Sequence, residues 1–326
     1  MSPACFRQRP SARWRLAPPA HVRLRPAAGF RPPRLVMRAK MTTDSSSPRG
    51  SEYSVRVTPE DLQTALARAL ALAADGLAAP GAAEAPVEVV PPRRPELGDW
   101  STTAALRAAA RPSSRLDLAE HICAHLRSLP EVASADIAGP GFVNITLTPA
   151  ARAQVALDII TAADAVSEPT LRSGSLGDAG SLSAGRVVAD TGQVASVDAS
   201  AVRPLQLGHA AVCREERRAH AAGITTEQVD ASSLAHPTEV RLLNALAAVP
   251  AALDRSRRRK RGEPLLTGLS EVSAAIEDWL GHCRVTPTID EDITARHASR
   301  LVLARAAIIV LAAGLRQLGA SAPERI

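Results

Sequence analysis

Residues 137–147 read I-A-G-P-G-F-V-N-I-T-L, and this stretch decides how the first half of the chain folds. Polar and apolar side chains alternate from Phe142 to Leu147, and a period of two is typical of a strand. Gly139, Pro140 and Gly141 mark a turn before it. The pattern predicts strands on both sides of this turn within a compact α+β domain.

A signal for the start of a helix precedes these strands. Thr58 is a suitable N-cap, Pro59 fits the first helical position, and Asp61 completes a box-like pair with Thr58. Leucines then recur at helical spacing from Leu62 to Leu77. Further helices are predicted at 102–110, 114–129 and 149–163, with a short strand at 87–90.

The second half of the chain is helical in its periodicity from residue 205 onward. The last predicted helix carries an apolar stripe between Ala298 and Leu315. Consecutive helices of this kind favour an antiparallel bundle. The predicted fold class is an α+β N-terminal domain followed by an all-α helical bundle, with helices at 205–222, 237–254, 264–282 and 293–318.

Composition divides the chain into four parts. Residues 1–55 form an Arg/Pro/Ser-rich leader without apolar periodicity, and this predicts disorder. The leader resembles an organellar transit peptide, or else Met41 is the true start of the protein. Residues 56–164 and 204–326 form the two predicted domains. The Gly/Ser/Ala/Asp-rich residues 165–203 are interpreted as a linker with a remnant strand near 186–188.

The net charge of +6 belongs to the leader and not to the domains. Residues 1–40 hold ten of the 39 basic groups and none of the 33 acidic ones, so residues 41–326 carry 29 basic and 33 acidic groups, a net of −4. The high isoelectric point is therefore no argument for RNA binding, and any nucleic-acid surface must be a local patch.

Sequence features that indicate metals, disulfides or membranes are weak. The four cysteines are scattered without a CxxC pair, which fits a reduced, cytoplasmic setting. His121 and His125 stand one helical turn apart, but the glutamate of an HExxH motif is absent. The apolar run at 301–318 is interrupted by Arg305 and Arg316, which argues against a membrane span. We predict no metal, no cofactor and no membrane partner.

Two stretches of the first domain resemble the N-terminal additional domain of arginyl-tRNA synthetases. Residues 98–106 read G-D-W-S-T-T-A-A-L and are similar to the family's G-D-(aromatic)-x-T/S-N-x-A-L segment, with Thr103 in place of the asparagine. Residues 138–144 read A-G-P-G-F-V-N, like the family signature A-G-P-G-F-(I/V)-N. The resemblance implies that Phe142 and Asn144 contact an exposed base at the tRNA elbow. A core position for Phe142 is the alternative.

The helix that begins near residue 205 resembles the opening helix of the synthetase anticodon-binding bundle. Residues 207–210 read L-G-H-A, similar to the family's Y-A-H-A-R, with Leu207 in place of the tyrosine, and Arg217 and Gly223 follow at matching offsets. An alternative interpretation is that residues 206–209 are a degenerate H-x-G-H signature of class I synthetases, with Gln206 in the position of the first histidine. That signature belongs at the start of a nucleotide-binding fold.

The C-terminal part resembles the rest of this DALR-type anticodon-binding bundle. Residues 236–243 follow the family pattern H-P-x-E-x-x-L-L, and residues 283–285 read C-R-V. Gly268 stands where the family has a tyrosine. Residues 322–326 read A-P-E-R-I, similar to the family's own ending with Met in the last place. The resemblance implies that this bundle holds the anticodon stem and loop.

A basic run at residues 255–261, R-S-R-R-R-K-R, is predicted to form a loop between two bundle helices. In a net acidic body such a run is either a solvated loop or a sequence-blind contact to RNA phosphates. The residues predicted to bind RNA are Phe142, Asn144, Arg257, Arg258, Arg259, Lys260, Arg261 and Arg284.

Sequence motifs of the catalytic core are missing. The sequence contains no P-loop and no K-M-S-K-S-like loop, and Asn144 and His209 are only 65 positions apart. We therefore favour a non-catalytic, cytoplasmic tRNA-binding protein, with arginine tRNA as its partner. The alternatives are a protein–protein module that associates with a full-length synthetase or another partner, and an arginine–tRNA ligase completed by another chain.

Overall fold

The computed structural model describes residues 58–73, 76–84, 87–92, 94–167, 192–194, 197–227 and 229–326. The predicted leader, most of the predicted linker and the predicted strand near 186–188 lie outside these residues. The described helices are α1 (Pro59–Ala71), α2 (Ala104–Ala108), α3 (Arg115–Arg127), α4 (Pro149–Ser167), α5 (Ala199–Ala221), α6 (Pro237–Arg259), α7 (Glu263–His282) and α8 (Ala295–Gln317). The strands are β1 (Val89–Val90), β2 (Trp100–Thr102), β3 (Val132–Ala138) and β4 (Phe142–Leu147).

The four strands form one antiparallel sheet in the order β1-β2-β4-β3. Val143, Ile145 and Leu147 alternate along β4 onto the inner face and are buried. Helices α1, α2 and α3 pack together beside the sheet, and α2 and α3 lie directly against β4. This arrangement confirms the predicted α+β fold of the first domain.

Helices α5 to α8 form the predicted helical bundle. Helices α6 and α7 make a tight helical hairpin, and α5 packs against α7 and α8. By length and composition α8 is apolar enough to cross a membrane, but 72% of its most apolar window is buried inside the fold. Its buried side chains are those of a core helix, with Leu301, Leu303 and Leu311 fully enclosed.

Helix α4 joins the sheet domain to the bundle. It follows β4 directly and packs against α6 and α8. At its start, Arg152 Nε lies 2.8 Å from the Asp99 carboxylate, which is only 2% exposed. The Asn244 amide of α6 donates to the same carboxylate at 3.0 Å, and the Leu147 backbone N–H donates to it at 2.7 Å. We call Asp99, Arg152 and Asn244 the Asp99 network; it ties the sheet, α4 and α6 together.

Several element boundaries differ from the sequence prediction; helix α1, for example, ends at Ala71, although leucines continue at helical spacing to Leu77. The helix predicted at 102–110 is shorter, Ala104–Ala108, because Thr102 belongs to strand β2, which pairs with β1 and β4. Helix α5 begins before Pro204, where burial of Val202 and Leu205 offsets the backbone hydrogen bond that proline removes. Helix α6 continues to Arg259, five residues beyond the predicted end at 254.

Candidate nucleic-acid interface

The turn between β3 and β4 sets the position of the predicted base contact. Gly139 and Gly141 have φ angles of 56° and 127°, in the left-handed region that glycine tolerates best. A side chain on Gly141 would also meet Leu106 of α2 and Arg115 of α3. The turn is therefore held close to the helices, and Phe142 is the first residue of the strand that leaves it.

Phe142 lies on the outer face of the sheet and is 40% exposed. The alternative that it is a core side chain does not hold. A half-exposed ring on a sheet surface can stack on an unpaired base, an interaction worth about 1–3 kcal/mol. Contact with RNA itself stays a prediction.

Asn144 lies on the same face as Phe142 but is only 7% exposed. It sits in the middle of the sheet, between Ser101 of β2 and Asp136 of β3. None of the described residues hydrogen-bonds to its amide. A base edge could reach only the small accessible part of this side chain. Asn144 therefore offers RNA a smaller contact surface than Phe142 does.

The surface around these two residues is close to neutral in charge. The Asp136 carboxylate beside Asn144 is paired with Arg127, whose Nη2 lies 3.8 Å away. We call Phe142, Asn144, Ser101 and Asp136 the hairpin surface. Its contribution to RNA binding would come from stacking and shape, with little dependence on salt.

The G-D-W segment supports the hairpin surface from within the fold. A Cβ atom on Gly98 would lie 2.8 Å from the Ile145 carbonyl oxygen, so only glycine fits beside β4. Asp99 makes the buried network described above, and Trp100 is a core residue, 2% exposed. No sequence pattern indicates that Asp99 joins the two domains, because its partners lie 53 and 145 positions away.

The basic run, residues 255–261, is not the loop that the sequence predicted. Arg257, Arg258 and Arg259 form the last turn of α6, where the negative end of the helix dipole favours cations. Lys260 closes the helix in the left-handed conformation, with φ 53° and ψ 41°. The run therefore presents its charges from a fixed helix end.

Exposure divides the basic run into two kinds of residue. Arg257 is partly buried and Ser256 is fully buried, where its hydroxyl accepts from the Leu265 backbone N–H at 2.8 Å. The remaining cations point to solvent and could reach phosphate groups. They are Arg255, Arg258, Arg259, Lys260 and Arg261.

Arg284 lies at the opposite end of the α6–α7 hairpin. The His236 ring before α6 stacks on the His282 ring at the end of α7, with centroids 6.1 Å apart. Because α6 has 23 residues, about 35 Å of helix separates Arg284 from the basic run. Arg284 and residues 257–261 therefore cannot contact the same small part of a ligand, and RNA binding by Arg284 stays a prediction.

The two stretches that resembled the family at residues 207–210 and 322–326 meet in the structure. Buried His209 donates from Nδ1 to the Pro323 carbonyl oxygen at 2.9 Å, and Arg217 reaches the Glu324 carbonyl oxygen at 3.4 Å. At Gly208, helix α5 packs closely against Ser273 of α7, where a larger residue would not fit. The alternative H-x-G-H reading does not hold, because this segment lies inside a bundle helix and its histidine fastens the C-terminal tail.

The described thiols and histidines make no reactive or metal-binding centre. Burial raises the pKa of Cys213 to about 11, and it raises the pKa of Cys123 and Cys283 as well. These groups are neutral thiols near pH 7. His121 donates to the Ala69 carbonyl oxygen at 2.9 Å. Within the described ranges, no three His, Cys, Asp or Glu side chains are placed to hold a metal ion.

Comparisons with known proteins bear on both domains. Residues 60–147 match the arginyl tRNA synthetase N terminal domain family, and residues 205–326 match the DALR anticodon binding domain family. The chain therefore carries a match to each of these two domain families, in this order along the sequence. No solved structure matches the chain.

Curated relatives are arginine–tRNA ligases of bacteria. The chain is 38% identical over 122 residues to the ligase of Renibacterium salmoninarum. The aligned segment covers 37% of this chain and 22% of that protein. It is 42% identical over 91 residues to the ligase of Gluconobacter oxydans, covering 27% of the chain and 15% of that protein. The matches thus span about a fifth of the length of these relatives.

The departures from the synthetase motifs lie in both domains. Leu207, at the tyrosine position of the opening helix, is 49% exposed. Gly268, at another tyrosine position, faces Ala252 of α6; a Cβ atom on Gly268 would lie 3.0 Å from the Ala252 Cβ. In the first domain, Thr103 lies between β2 and α2 and makes no side-chain cap.

Proposed function

We propose that this chain is a non-catalytic tRNA-binding protein made of the two outer domains of an arginyl-tRNA synthetase. One observation carries the proposal: only residues 148–204 separate the two matched ranges. An ordinary domain takes about 100–200 residues, and a Rossmann-type core needs several βαβ units. Helix α4 and the start of α5 already occupy part of this interval and pack on the bundle.

The partner proposed is a tRNA, and arginine tRNA in particular. The hairpin surface would contact the elbow, and the basic run with the DALR bundle would contact the anticodon arm. The Asp99 network supports this reading because it fixes the two domains in one relative orientation. Two sites on one chain bind a ligand that reaches both more tightly than either site does alone.

A gel-shift titration with bulk tRNA, and with arginine tRNA as competitor, tests this proposal. We expect dissociation constants in the low- to sub-micromolar range, about 10⁻⁶ M, that weaken steeply as salt rises. Efficient competition by arginine tRNA over other tRNAs would support the named partner. Binding that is absent or insensitive to salt would refute the proposal.

A protein–protein module is the second candidate function. The observation that favours it is the apolar side chain of Leu207 on the surface of α5, together with Ile289 and Ile293 exposed beside α8. Such side chains could pack against a full-length synthetase or another protein. Under this reading, substitution of Phe142 and of the basic run leaves partner pull-down intact, and tRNA binding is weak from the outset.

Arginine–tRNA ligase activity, completed by another chain, is the third candidate, and it rests on the names of the relatives. ATP–pyrophosphate exchange in the presence of arginine and tRNA measures it directly. We expect no exchange above background, because the sequence holds no P-loop and no K-M-S-K-S-like loop. Exchange by the purified chain would overturn the non-catalytic assignment while leaving tRNA binding untouched.

A further inference from the structure

Three histidines lie together at the end of the bundle that is opposite the basic run. His236 is the N-cap of α6, His282 is the last residue of α7, and His297 lies in the first turn of α8. The His236 and His282 rings stack with their centroids 6.1 Å apart. The start of α8 reaches the same place, because Arg300 Nε lies 2.7 Å from the carboxylate of Glu239 in the first turn of α6. We call His236, His282 and His297 the histidine cluster.

His297 holds the start of α8 through a nitrogen that must be unprotonated. The Thr294 backbone N–H donates to His297 Nδ1 at 3.1 Å, and the Thr294 hydroxyl lies 3.0 Å from the same nitrogen. A backbone N–H is only a donor, so Nδ1 is the acceptor and carries no proton. A charged imidazolium ring has a proton on both nitrogens and accepts no hydrogen bond. Charging His297 therefore removes both contacts to Thr294.

His236 holds the start of α6 in the same way. The Thr238 backbone N–H donates to His236 Nδ1 at 3.3 Å, and the Thr238 hydroxyl lies 2.8 Å from that nitrogen. The same hydroxyl lies 3.6 Å from Cys283 Sγ, and Cys283 is only 3% exposed. An Asn or Ser cap keeps its acceptor at any pH near neutral, whereas a histidine loses its acceptor on protonation. The cover that the start of α6 gives to Cys283 thus depends on an uncharged His236.

The surroundings of His297 disfavour a positive charge on its ring. Burial, the largest cause, and the Arg300 guanidinium lower the pKa of His297; the Glu291 carboxylate acts in the opposite direction, and Arg296 lowers the pKa again. The N-terminus of a helix also disfavours a cation. A histidine whose pKa is lowered by folding stabilises the fold while it is uncharged. This contribution is present above the ordinary histidine pKa of about 6.5 and is lost as the pH falls below it.

The carboxylates next to the other two histidines already have partners. One oxygen of Glu239 accepts from the His236 backbone N–H at 2.9 Å, and the other belongs to the ion pair with α8 described above. The Asp278 carboxylate lies 3.3 Å from His282 Nδ1 and 3.0 Å from Arg241. Positive charges on both His236 and His282 would repel each other across the stacked rings. Acid therefore acts against the closed arrangement at three points of one bundle end.

We propose that the histidine cluster is a pH-sensitive latch for this end of the bundle. At neutral pH the uncharged rings of His236 and His297 fasten the starts of α6 and α8. Protonation removes both acceptors, the two helix starts fray, and Cys283 and the following residues 284–294 become accessible. The latch goes beyond the proposed function and does not depend on it, because none of the three histidines is a predicted RNA contact.

Thiol labelling of the full chain tests the latch. The reagent is a dipyridyl disulfide, whose leaving group departs readily in acid, and peptide mass spectrometry reads each cysteine separately. Relative to free cysteine at the same pH, the labelling rate of Cys283 should rise about tenfold between about pH 6.5 and 5.5, because opening that takes up one proton shifts about tenfold per pH unit. Buried Cys123 and Cys213 are internal controls, and their rates should change less than about twofold.

The matched variants keep both acceptors but cannot be charged. His236→Asn keeps an acceptor at the N-cap, and His297→Gln keeps one at the third helical position, where Gln is common in capping boxes. In the H236N/H297Q variant the labelling rate of Cys283 should change less than about twofold over the same pH range. His220→Gln is the control, since it removes an exposed histidine of α5 and should behave like the intact chain.

Urea unfolding at about pH 7.5 and about pH 5.5 is the second measurement. The H297Q variant should lose less stability on acidification than the intact chain and H220Q do. The latch is refuted if Cys283 stays protected in acid, or if H236N/H297Q shows the same rise as the intact chain. A parallel rise at Cys123 and Cys213 also refutes it, because it indicates unfolding of the whole fold. Equal losses of stability in H297Q and H220Q contradict the role of His297. None of these outcomes depends on whether tRNA binds.

Discussion

The hairpin surface and the basic run are two candidate RNA contacts of opposite character. The hairpin surface presents one half-exposed ring, Phe142, next to an acid–base pair of Asp136 and Arg127 with no net charge. The basic run presents a cluster of exposed cations at the end of α6 and no aromatic side chain. One surface can stack on a base, and the other can neutralise phosphates.

Because their charges differ in this way, the two surfaces should respond differently to salt. For phosphate contacts the logarithm of the binding constant falls linearly with the logarithm of salt concentration, whereas stacking of an uncharged ring releases no counterions. Substitutions in the two regions are therefore distinguishable by the slope of affinity against salt as well as by affinity. The Asp99 network joins the two regions, and the free energy of unfolding measures the effect of substitutions in this network.

The largest expected effect is on stability, from Asp99→Ala. This change leaves Arg152 without its buried partner and the Leu147 N–H without an acceptor. Loss of one partner of a buried pair costs about 3–5 kcal/mol. Urea unfolding should show a decrease of this size in the free energy of unfolding.

Asn244→Ala is the matched control for that variant, because it removes one hydrogen bond and leaves the ion pair intact. Its cost should be about 1 kcal/mol. Equal effects of the two substitutions would show that the buried ion pair does not hold the sheet domain to the bundle, and the link between the two surfaces would have to be sought elsewhere.

Neutralising the basic run should produce the largest change in RNA affinity. The variant R258Q/R259Q/K260Q/R261Q leaves the partly buried Arg257 in place, and tRNA affinity at low salt should fall about 100-fold or more. A filter-binding assay measures the change. The control replaces four exposed arginines elsewhere in the chain by glutamine, and affinity should fall less than about fivefold. The four control positions are Arg203, Arg214, Arg218 and Arg316. Equal losses in both variants would mean that only net charge matters.

Phe142→Ala should weaken tRNA binding by about tenfold without changing its salt dependence. The free energy of unfolding should hardly change, because the ring is half-exposed and lies outside the core. Leu116→Ala is the control, since Leu116 is an exposed apolar residue of the same domain, at 50%. The stacking role is rejected if the two variants bind tRNA equally well.

The smallest effect is expected for Arg284→Gln. Arg284 lies about 35 Å from the basic run, at the other end of the α6–α7 hairpin. One isolated, exposed cation contributes a single phosphate contact at most, so affinity should fall by about two- to threefold. A loss as large as that of the basic-run variant would show that both ends of the hairpin grip the RNA, and it would enlarge the interface.

Local signals made much of the fold predictable from the sequence. The capping box at Thr58 and Asp61 forms as predicted, with the Thr58 N–H donating to Asp61 at 2.8 Å. The hairpin and the four bundle helices follow from periods of two and of 3.6 residues, which report on neighbours close along the chain. The helix of residues 263–282 matches its predicted bounds to within a residue.

Features that depend on distant residues were not predictable in this way. Strand β2 has three residues and exists because β1 and β4 flank it. The placement of α4 on the bundle and the Asp99 network involve partners far apart in sequence, which periodicity does not report. The separation of Arg284 from the basic run follows from the antiparallel path of α6 and α7. The sequence pattern alone does not predict this separation.

The decisive measurement for RNA binding through the basic run is tRNA affinity as a function of salt concentration, for the intact chain and for the R258Q/R259Q/K260Q/R261Q variant. We predict a steep linear fall of log affinity with log salt for the intact chain. The magnitude of the slope should drop by about three to four in the variant, because each phosphate contact contributes about 0.9. A shallow slope for the intact chain, or the same slope for both proteins, would contradict the account.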